Sequence, residues 1–152
     1  MAKEEEFLRK IHAFSGIAGS RLDFIMRKIG LDAFNQLLRR SPVDSGRFRA
    51  SWRYTVNTID SSVEPRSKSG TKSSIKKGAP PTGEQTSAVI TANKTVTRDS
   101  VIHITNSLPY SVRLEQGYST QAPNGIVGPT FLTLLLNITR NARAAKKAIP
   151  DA

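Results

Sequence analysis

Two patterns of the chain meet in the stretch SPVDSGRFRASW, which occupies residues 41–52. A helical pattern of apolar residues covers residues 20–40. An alternating pattern typical of a half-buried β-strand covers residues 51–59. Pro42 ends the helix, because proline has no amide hydrogen to donate and its ring clashes with the preceding turn.

The residues after Pro42 predict a turn followed by an anchored strand. Asp44 is expected to accept the amide of Gly46 or Arg47 in an Asx turn. Phe48 and Trp52 then bury large aromatic surfaces, which is worth several kcal/mol at roughly 25 cal/mol per Å². This stretch is therefore interpreted as architectural.

The segment before the stretch predicts two helices. Residues 20–40 form the clearer one, with Ser20 as its N-cap and one apolar face at steps of three and four. That face consists of Leu22, Ile25, Ile29, Ala33 and Leu37. Apolar spacing also predicts a short helix over residues 3–14, and Gly16 and Gly19 are expected to interrupt the helical pattern. Residues 1–19 are therefore expected to form an N-terminal arm that orders on assembly.

The segment after the stretch predicts a long loop, further strands and a final helix. The expected elements are a flexible loop over 60–86, strands over 87–92 and 100–106, an irregular region over 109–128, and a helix that begins at Pro129. The whole chain, residues 1–152, is expected to form one domain. The predicted fold class is α+β, with an antiparallel β-sheet packed with a long N-terminal helix and a C-terminal helix, and with the long flexible loop between strands.

The first half of the C-terminal helix is more apolar than a helix lying on a small sheet requires. Its large apolar residues are Phe131, Leu132, Leu134, Leu135, Leu136 and Ile138. Two alternatives remain open: this half is deeply buried, or it is shared with a neighbouring subunit. Hydrophobic residues make up 38% of the chain, which is low for a compact monomer and favours surface buried against partners.

The net charge of +11 predicts a polyanionic partner or an acidic protein neighbour. The loop carries five cations and no acid between residues 66 and 77: Arg66, Lys68, Lys72, Lys76 and Lys77. A second basic group lies at residues 140–147. No apolar run is long enough for a membrane span, and the acidic N-terminus argues against a signal peptide. The chain has no cysteine, which excludes disulfides and thiolate chemistry.

No motif predicts catalysis, a metal or a cofactor. His12 and His103 lie far apart and in no metal-binding pattern, and phosphate-binding glycine loops are absent. Asp44 and Glu115 are the acids to consider as a pair, but a structural role is expected for each. Glu115 is expected to hold a backbone amide or an arginine in the irregular region. The chain is therefore expected not to be an enzyme.

A basic module that binds nucleic acid without sequence specificity is the alternative. The loop cations could follow a phosphate backbone, with an affinity that falls steeply with salt. The loop contains no aromatic residue, so it offers no base stacking. No helix-turn-helix, RNP or zinc-finger pattern is present.

A second motif lies at residues 110–125, YSVRLEQGYSTQAPNG. The segment 42–52 resembles the "PVDTGRLRASW" signature of small tailed-bacteriophage proteins described as tail-completion or head–tail-joining (neck) components. The second motif resembles their "YAxxLExGxSxQAPxG" element. The departures are Ser45 for threonine, Phe48 for leucine and Ser111 for alanine. The likeness spans most of residues 20–148. The positions that carry it, or that build its turns, are Pro42, Asp44, Gly46, Phe48, Trp52, Tyr110, Glu115, Gly117, Pro123 and Gly125. Tyr110 is expected to pack near Trp52.

This resemblance implies a structural virion protein of the phage neck, made in the host cytoplasm. Such proteins form a ring at the top of the tail, complete the tail and join it to the head. The implied partners are further copies in a six-fold ring, tail-terminator or tail-tube proteins, and head connector or adaptor proteins. The loop cations are expected to face acidic neighbouring proteins, and contact with genomic DNA is the alternative.

Overall fold

The computed structural model describes residues 2–66 and 72–150. Within these residues the order of elements is α1 Ala2–Arg40, α2 Arg47–Ala50, β1 Arg53–Val56, α3 Gly83–Asn93, β2 Ile102–Thr105, α4 Ser111–Glu115 and α5 Val127–Ala148. β1 and β2 form a two-stranded antiparallel sheet, against which helices pack. The fold is therefore α+β, and the predicted fold class is confirmed.

α1 is one continuous helix of 39 residues, about 58 Å long at 1.5 Å per residue. The helical state predicted for residues 3–14 and 20–40 is confirmed. The interruption at Gly16 and Gly19 and the cap at Ser20 are wrong, because the helix runs through all three residues. A glycine costs a helix only about 1 kcal/mol relative to alanine, and good helix formers on both sides offset this. Packing also favours glycine at position 19, because the Arg98 guanidinium lies where a Cβ would be.

α5 packs antiparallel to α1. Near the end of α1, Arg40 Nη2 donates to Thr133 Oγ1 at 2.8 Å. Further back along α1, Arg21 Nε donates to the carbonyl of Ile149 at 2.7 Å, just past the end of α5. The part of α1 that precedes Arg21 therefore extends beyond α5.

Tyr54 of β1 fastens the sheet to α1. It pairs with Ile104 of β2, and its ring meets the edge of Phe34 with centroids 5.9 Å apart. Its hydroxyl donates to Asn93 Oδ1 at 2.6 Å, and burial raises the pKa of Tyr54 to about 12. A Cβ at Gly30 would collide with this hydroxyl, so the glycine within α1 lets the strand approach the helix closely.

The strand predicted at residues 87–92 is wrong, because this segment belongs to α3. The helix begins with a capping box. The Gln85 amide donates to Thr82 Oγ1 at 3.3 Å, and the Thr82 amide donates to Gln85 Oε1 at 3.2 Å. Val89 and Asn93 are buried one helical turn apart, so one face of this helix packs against the core. The alternation of apolar residues at 88, 90 and 92 therefore does not reflect a β-strand.

The loop predicted over 60–86 is wrong at its end, because residues 83–86 belong to α3. Where the rest of this segment is described, Arg49 of α2 binds it. Arg49 is only 2% exposed. Its Nη2 donates to the carbonyls of Ala79 at 2.7 Å and Pro80 at 2.5 Å. Burial, and then the nearby charge of Arg39, lower the pKa of Arg49 below its usual value. The flexibility of the loop stays a prediction.

The core draws on both halves of the chain. Its buried apolar residues are Phe34, Leu37, Leu38, Phe48, Trp52, Tyr54, Val89, Leu108, Ala122 and Ile126. The end of α1, the stretch 41–52 and the region 108–126 therefore share one hydrophobic cluster. This arrangement brings the two sequence motifs together.

Candidate functional site

The two motifs, residues 41–52 and 110–125, meet in what is called here the junction. The Gln121 side chain links them through two hydrogen bonds. The Val43 amide donates to Gln121 Oε1 at 2.9 Å, and Gln121 Nε2 donates to the Val43 carbonyl at 2.9 Å. The amide side chain thus pairs with the backbone as a neighbouring strand would, and it fixes the turn after α1 to the second motif.

Trp52 fastens the strand back onto the end of α1. Its indole Nε1 donates to Ser41 Oγ at 2.8 Å, and Ser41 Oγ donates to the Leu37 carbonyl at 2.7 Å. Ser41, Pro42 and Trp52 are all buried. The indole N–H and the Ser41 hydroxyl therefore both have a partner, so the indole is held in one orientation.

Phe48 joins the aromatic residues of the two motifs. Its ring meets the edge of Trp52 with centroids 5.8 Å apart. On the other side the Tyr110 ring lies 6.2 Å away, tilted by 37°. Tyr110 therefore reaches Trp52 through Phe48, and it remains 36% exposed at the rim. The Asn106 Nδ2 donates to the Phe48 carbonyl at 2.8 Å, which adds a polar tie from the end of β2.

The turn at Asp44 differs from the expected Asx turn. The Arg47 amide points to Ser45 Oγ at 3.5 Å. Asp44 contributes its backbone carbonyl, which accepts the Ser73 amide at 2.7 Å. Gly46 adopts a left-handed φ of 81°, a conformation that an L side chain resists. The turn thereby joins the junction to the loop.

Glu115 caps the start of α5 from outside the helix. This matches the expectation that its side chain holds a backbone amide. Its Oε2 accepts the amides of Ile126 and Val127, each at 2.8 Å, and its Oε1 accepts the Gly128 amide at 2.9 Å. Burial raises the pKa of Glu115, but these three bonds outweigh burial and leave the pKa below its usual value. α5 begins at Val127, so Pro129 lies in the first turn and not at the first position as predicted.

Two glycines let the second motif fold around Glu115. Gly117 and Gly125 have left-handed φ values of 85° and 79°. A Cβ at Gly117 would collide with the carbonyl of Pro123, and one at Gly125 would lie 2.5 Å from the Glu115 carbonyl. Both positions therefore exclude larger residues for two reasons, conformation and space.

The two acids of the junction, Asp44 and Glu115, line no common hollow among those described. Asp44 lines a hollow of about 240 Å³ and Glu115 lines a different one of about 290 Å³, and the Glu115 carboxylate already accepts three amides. His12 lies exposed on α1, while His103 lies in β2 opposite Thr55. No cluster of three or more potential metal ligands occurs among the described residues.

A cleft lies between α2, β1 and α3. Its volume is about 540 Å³, and Arg49, Asp60, Glu64 and Glu84 are among its lining residues. The Arg49 Nε and Nη1 are buried without a hydrogen-bond partner. Sequence reasoning missed this arginine, because nothing in RFRASW distinguishes a buried arginine from a surface one.

The cations of the loop lie at the surface where they are described. Arg66, Lys72, Lys76 and Lys77 are exposed, and none forms an ion pair with another described residue. Lys68 lies outside the described residues. These charges are therefore available to an anionic partner.

Two helix faces present large apolar side chains to solvent. The face on α1 consists of Phe7, Leu8, Ile11 and Phe14, and the face on α5 consists of Phe131, Leu132, Leu135 and Leu136. Leu136 is 84% exposed. Of the two alternatives for the first half of α5, deep burial within the chain is therefore wrong. Monomeric proteins rarely expose apolar patches of this kind unless the patch binds a partner.

Comparison with known proteins adds no relative. The chain matches no protein family, no curated protein and no solved structure. In the described part of the chain no helix combines the length and apolar character needed to cross a membrane. Evidence for function therefore comes from the junction, the charge and the exposed helix faces.

Proposed function

We propose that this protein is a non-enzymatic structural component of a tailed-phage neck, where it completes the tail and joins it to the head. The observation that carries the proposal is the pair of exposed apolar faces on α1 and α5. A soluble chain that leaves such faces uncovered gains stability by burying them in an assembly.

The junction supports this proposal as a rigid framework. The two motifs that resemble the neck proteins contact each other through Gln121, Phe48 and the shared core. Gln121 bonds the Val43 backbone, and Trp52 bonds Ser41. The junction is therefore suited to holding α1 and α5 at a fixed angle, which an assembly needs from each copy.

The proposed assembly is a six-fold ring at the top of the tail. Its partners are tail-terminator or tail-tube proteins on one side and head connector or adaptor proteins on the other. Each copy carries a net charge of +11, so a channel lined by the loop cations would bind DNA phosphates and slow ejection. The loop cations are therefore proposed to face acidic neighbouring proteins and to avoid the channel.

Electron microscopy of particles made without this protein tests the proposal. Separate filled heads and separate tails are expected, and supplying the protein from a plasmid should restore joined particles. Normal joined particles in its absence would refute the proposed function.

DNA binding is the second candidate, and the exposed loop cations favour it. A salt titration of DNA binding distinguishes the two. The neck role predicts no sub-micromolar binding at physiological salt, whereas the DNA-binding role predicts such binding with a steep salt dependence.

A matched pair of variants locates any binding that is found. Replacing Arg66, Lys72, Lys76 and Lys77 by glutamine removes four charges from the loop. Replacing Arg140, Arg143, Lys146 and Lys147 by glutamine removes four charges from α5. Equal losses of affinity in both variants would indicate attraction by net charge and would count against a loop site.

A further inference from the structure

The first turns of α1 form a projecting arm, defined as residues 5–16. Every residue of the arm is exposed. α5 runs antiparallel to α1 and ends where Arg21 contacts the Ile149 carbonyl. No part of α5 therefore lies beside the arm, which extends about 18 Å at 1.5 Å per residue.

The arm carries an apolar stripe that its own chain leaves uncovered. Phe7, Ile11 and Phe14 are spaced by four and three residues, so they lie on one face of the helix, and Leu8 borders them. Phe14 is 69% exposed. A solvent-facing helix stripe of this kind is the pattern of a docking helix.

α5 presents a complementary stripe. It turns Thr130, Asn141 and Ala145 into the protein. Phe131, Leu132, Leu135 and Leu136 point to the other side. The fully buried residues of α5 are thus small or polar, while these four large apolar residues face outward.

Charge sets the relative direction of the two stripes. On the arm, Glu5 and Glu6 precede the apolar residues, and Glu6 pairs with Lys10 at 2.8 Å. On α5, Arg140 and Arg143 follow the apolar residues. An antiparallel alignment therefore brings the acidic beginning of the arm to the basic half of α5, and it also places opposite ends of the two helix dipoles together.

The two stripes of one chain cannot meet. The arm continues into the rest of α1 as an unbroken helix, and α5 packs against that later part of α1. We propose that the arm of one copy docks antiparallel on the outward stripe of α5 in a second copy. When a copy that receives an arm sends its own arm to a third copy, the contact is heterologous, so it propagates from copy to copy and can close into a ring. The inference deepens the proposed ring assembly and rests on it.

Cysteine cross-linking tests the docking directly, because the chain has no cysteine of its own. Ile11→Cys and Leu135→Cys are made in separate chains, mixed, and treated with a short bifunctional thiol reagent. A linked dimer is expected from the mixture and not from either variant alone. Ile11→Cys mixed with Lys94→Cys, which places an exposed cysteine elsewhere, is the matched control and should give no dimer. Dimers of Ile11→Cys alone would show that arms pair with arms and would overturn the proposal.

Sedimentation velocity gives a second measurement. Leu136→Glu and Phe14→Glu should each weaken self-association about 30-fold or more, as loss of a buried interface anchor does. Ile59→Glu alters an exposed apolar residue outside both stripes and should leave association unchanged. Thermal unfolding of all three variants checks that each is folded. Wild-type association in a folded Leu136→Glu variant would refute the docking.

The cysteine variants also separate this inference from the proposed function. They are used to complement particles that lack the protein. If they join heads and tails but do not cross-link, the docking is wrong and the proposed function stands. If they cross-link while particles join without any copy of the protein, the docking stands and the proposed function is wrong.

Discussion

The cap that Glu115 provides for α5 gives the most quantitative prediction. Replacing Glu115 by alanine leaves three amide donors without their acceptor. Ile126 is buried, so its amide loses a partner that water cannot readily replace, which costs about 1–3 kcal/mol. The amides of Val127 and Gly128 are in exposed residues, and losing this part of the cap costs about 1 kcal/mol. The expected loss of stability is therefore about 2–4 kcal/mol.

Thermal unfolding followed by circular dichroism measures this loss. A loss of 1 kcal/mol lowers the Tm of a chain of this size by about 2–4 °C, so Glu115→Ala should lower it by roughly 4–16 °C. Glu84→Gln is the matched control, because Glu84 is an exposed acid in the first turn of α3 and should change the free energy of unfolding by less than about 0.5 kcal/mol. A Tm for Glu115→Ala within 1 °C of the wild type would refute the cap.

The pH dependence follows from the lowered pKa of Glu115. Its usual pKa is 4.5, and the folded protein holds the pKa below that value. The carboxylate therefore contributes its full stabilisation above pH 4.5 and loses it as the pH falls through the lower folded-state pKa. The stability difference between the wild type and Glu115→Gln should shrink over that range. A difference that stays constant down to the acid unfolding of the wild type would contradict this account.

Three further predictions concern the junction and the core. Gln121→Ala should lose both bonds to Val43 and about 1–2 kcal/mol of stability in a urea titration, and Gln121→Glu should also be destabilised, because it removes the donor and places a carboxylate oxygen against the Val43 carbonyl; a Gln121→Glu variant as stable as the wild type would argue against the donor bond. Gly125→Ala should destabilise the fold by more than 1 kcal/mol because of its φ and its lack of space, whereas Gly16→Ala, where a Cβ meets open space, should stabilise α1 by about 0.5–1 kcal/mol; a neutral Gly125→Ala would contradict this reasoning. In an ultraviolet pH titration one of the three tyrosines should ionise near pH 12, and this step should vanish in Tyr54→Phe; its survival would show that another tyrosine is the buried one.

Local signals predicted the elements that depend on neighbouring residues. Pro42 ends α1 because a proline cannot continue a helix, and the alternation around Tyr54 matches β1. The α3 helix carried an equally local signal in Thr82 and Gln85, which form its capping box. The alternation of small and apolar residues after Gln85 favours a strand, so two local signals compete in this segment. The capping box is the stronger of the two, because it satisfies the free amides at the start of a helix.

Contacts between residues far apart in the chain could not be predicted from the sequence. The separation of Val43 from Gln121 in the chain gives no sign that a side-chain amide will pair with that backbone. Arg49 is buried by the fold of a distant loop, and no local pattern marks it. Glu115 was predictable in part. The sequence indicated that its carboxylate would bind a backbone amide, but it did not indicate that the three amides would be those at the start of α5.

The unbroken run of α1 also constrains how this chain can vary. Each inserted residue rotates everything before it by 100° and moves it by about 1.5 Å. An insertion of one or two residues near Gly16 would rotate Phe7 and Phe14 to another side of the helix axis. Seven inserted residues would return both side chains to within about 20° of their present direction. Insertions and deletions in α1 should therefore be tolerated best when they keep the direction in which the apolar residues of the arm point relative to the rest of the fold.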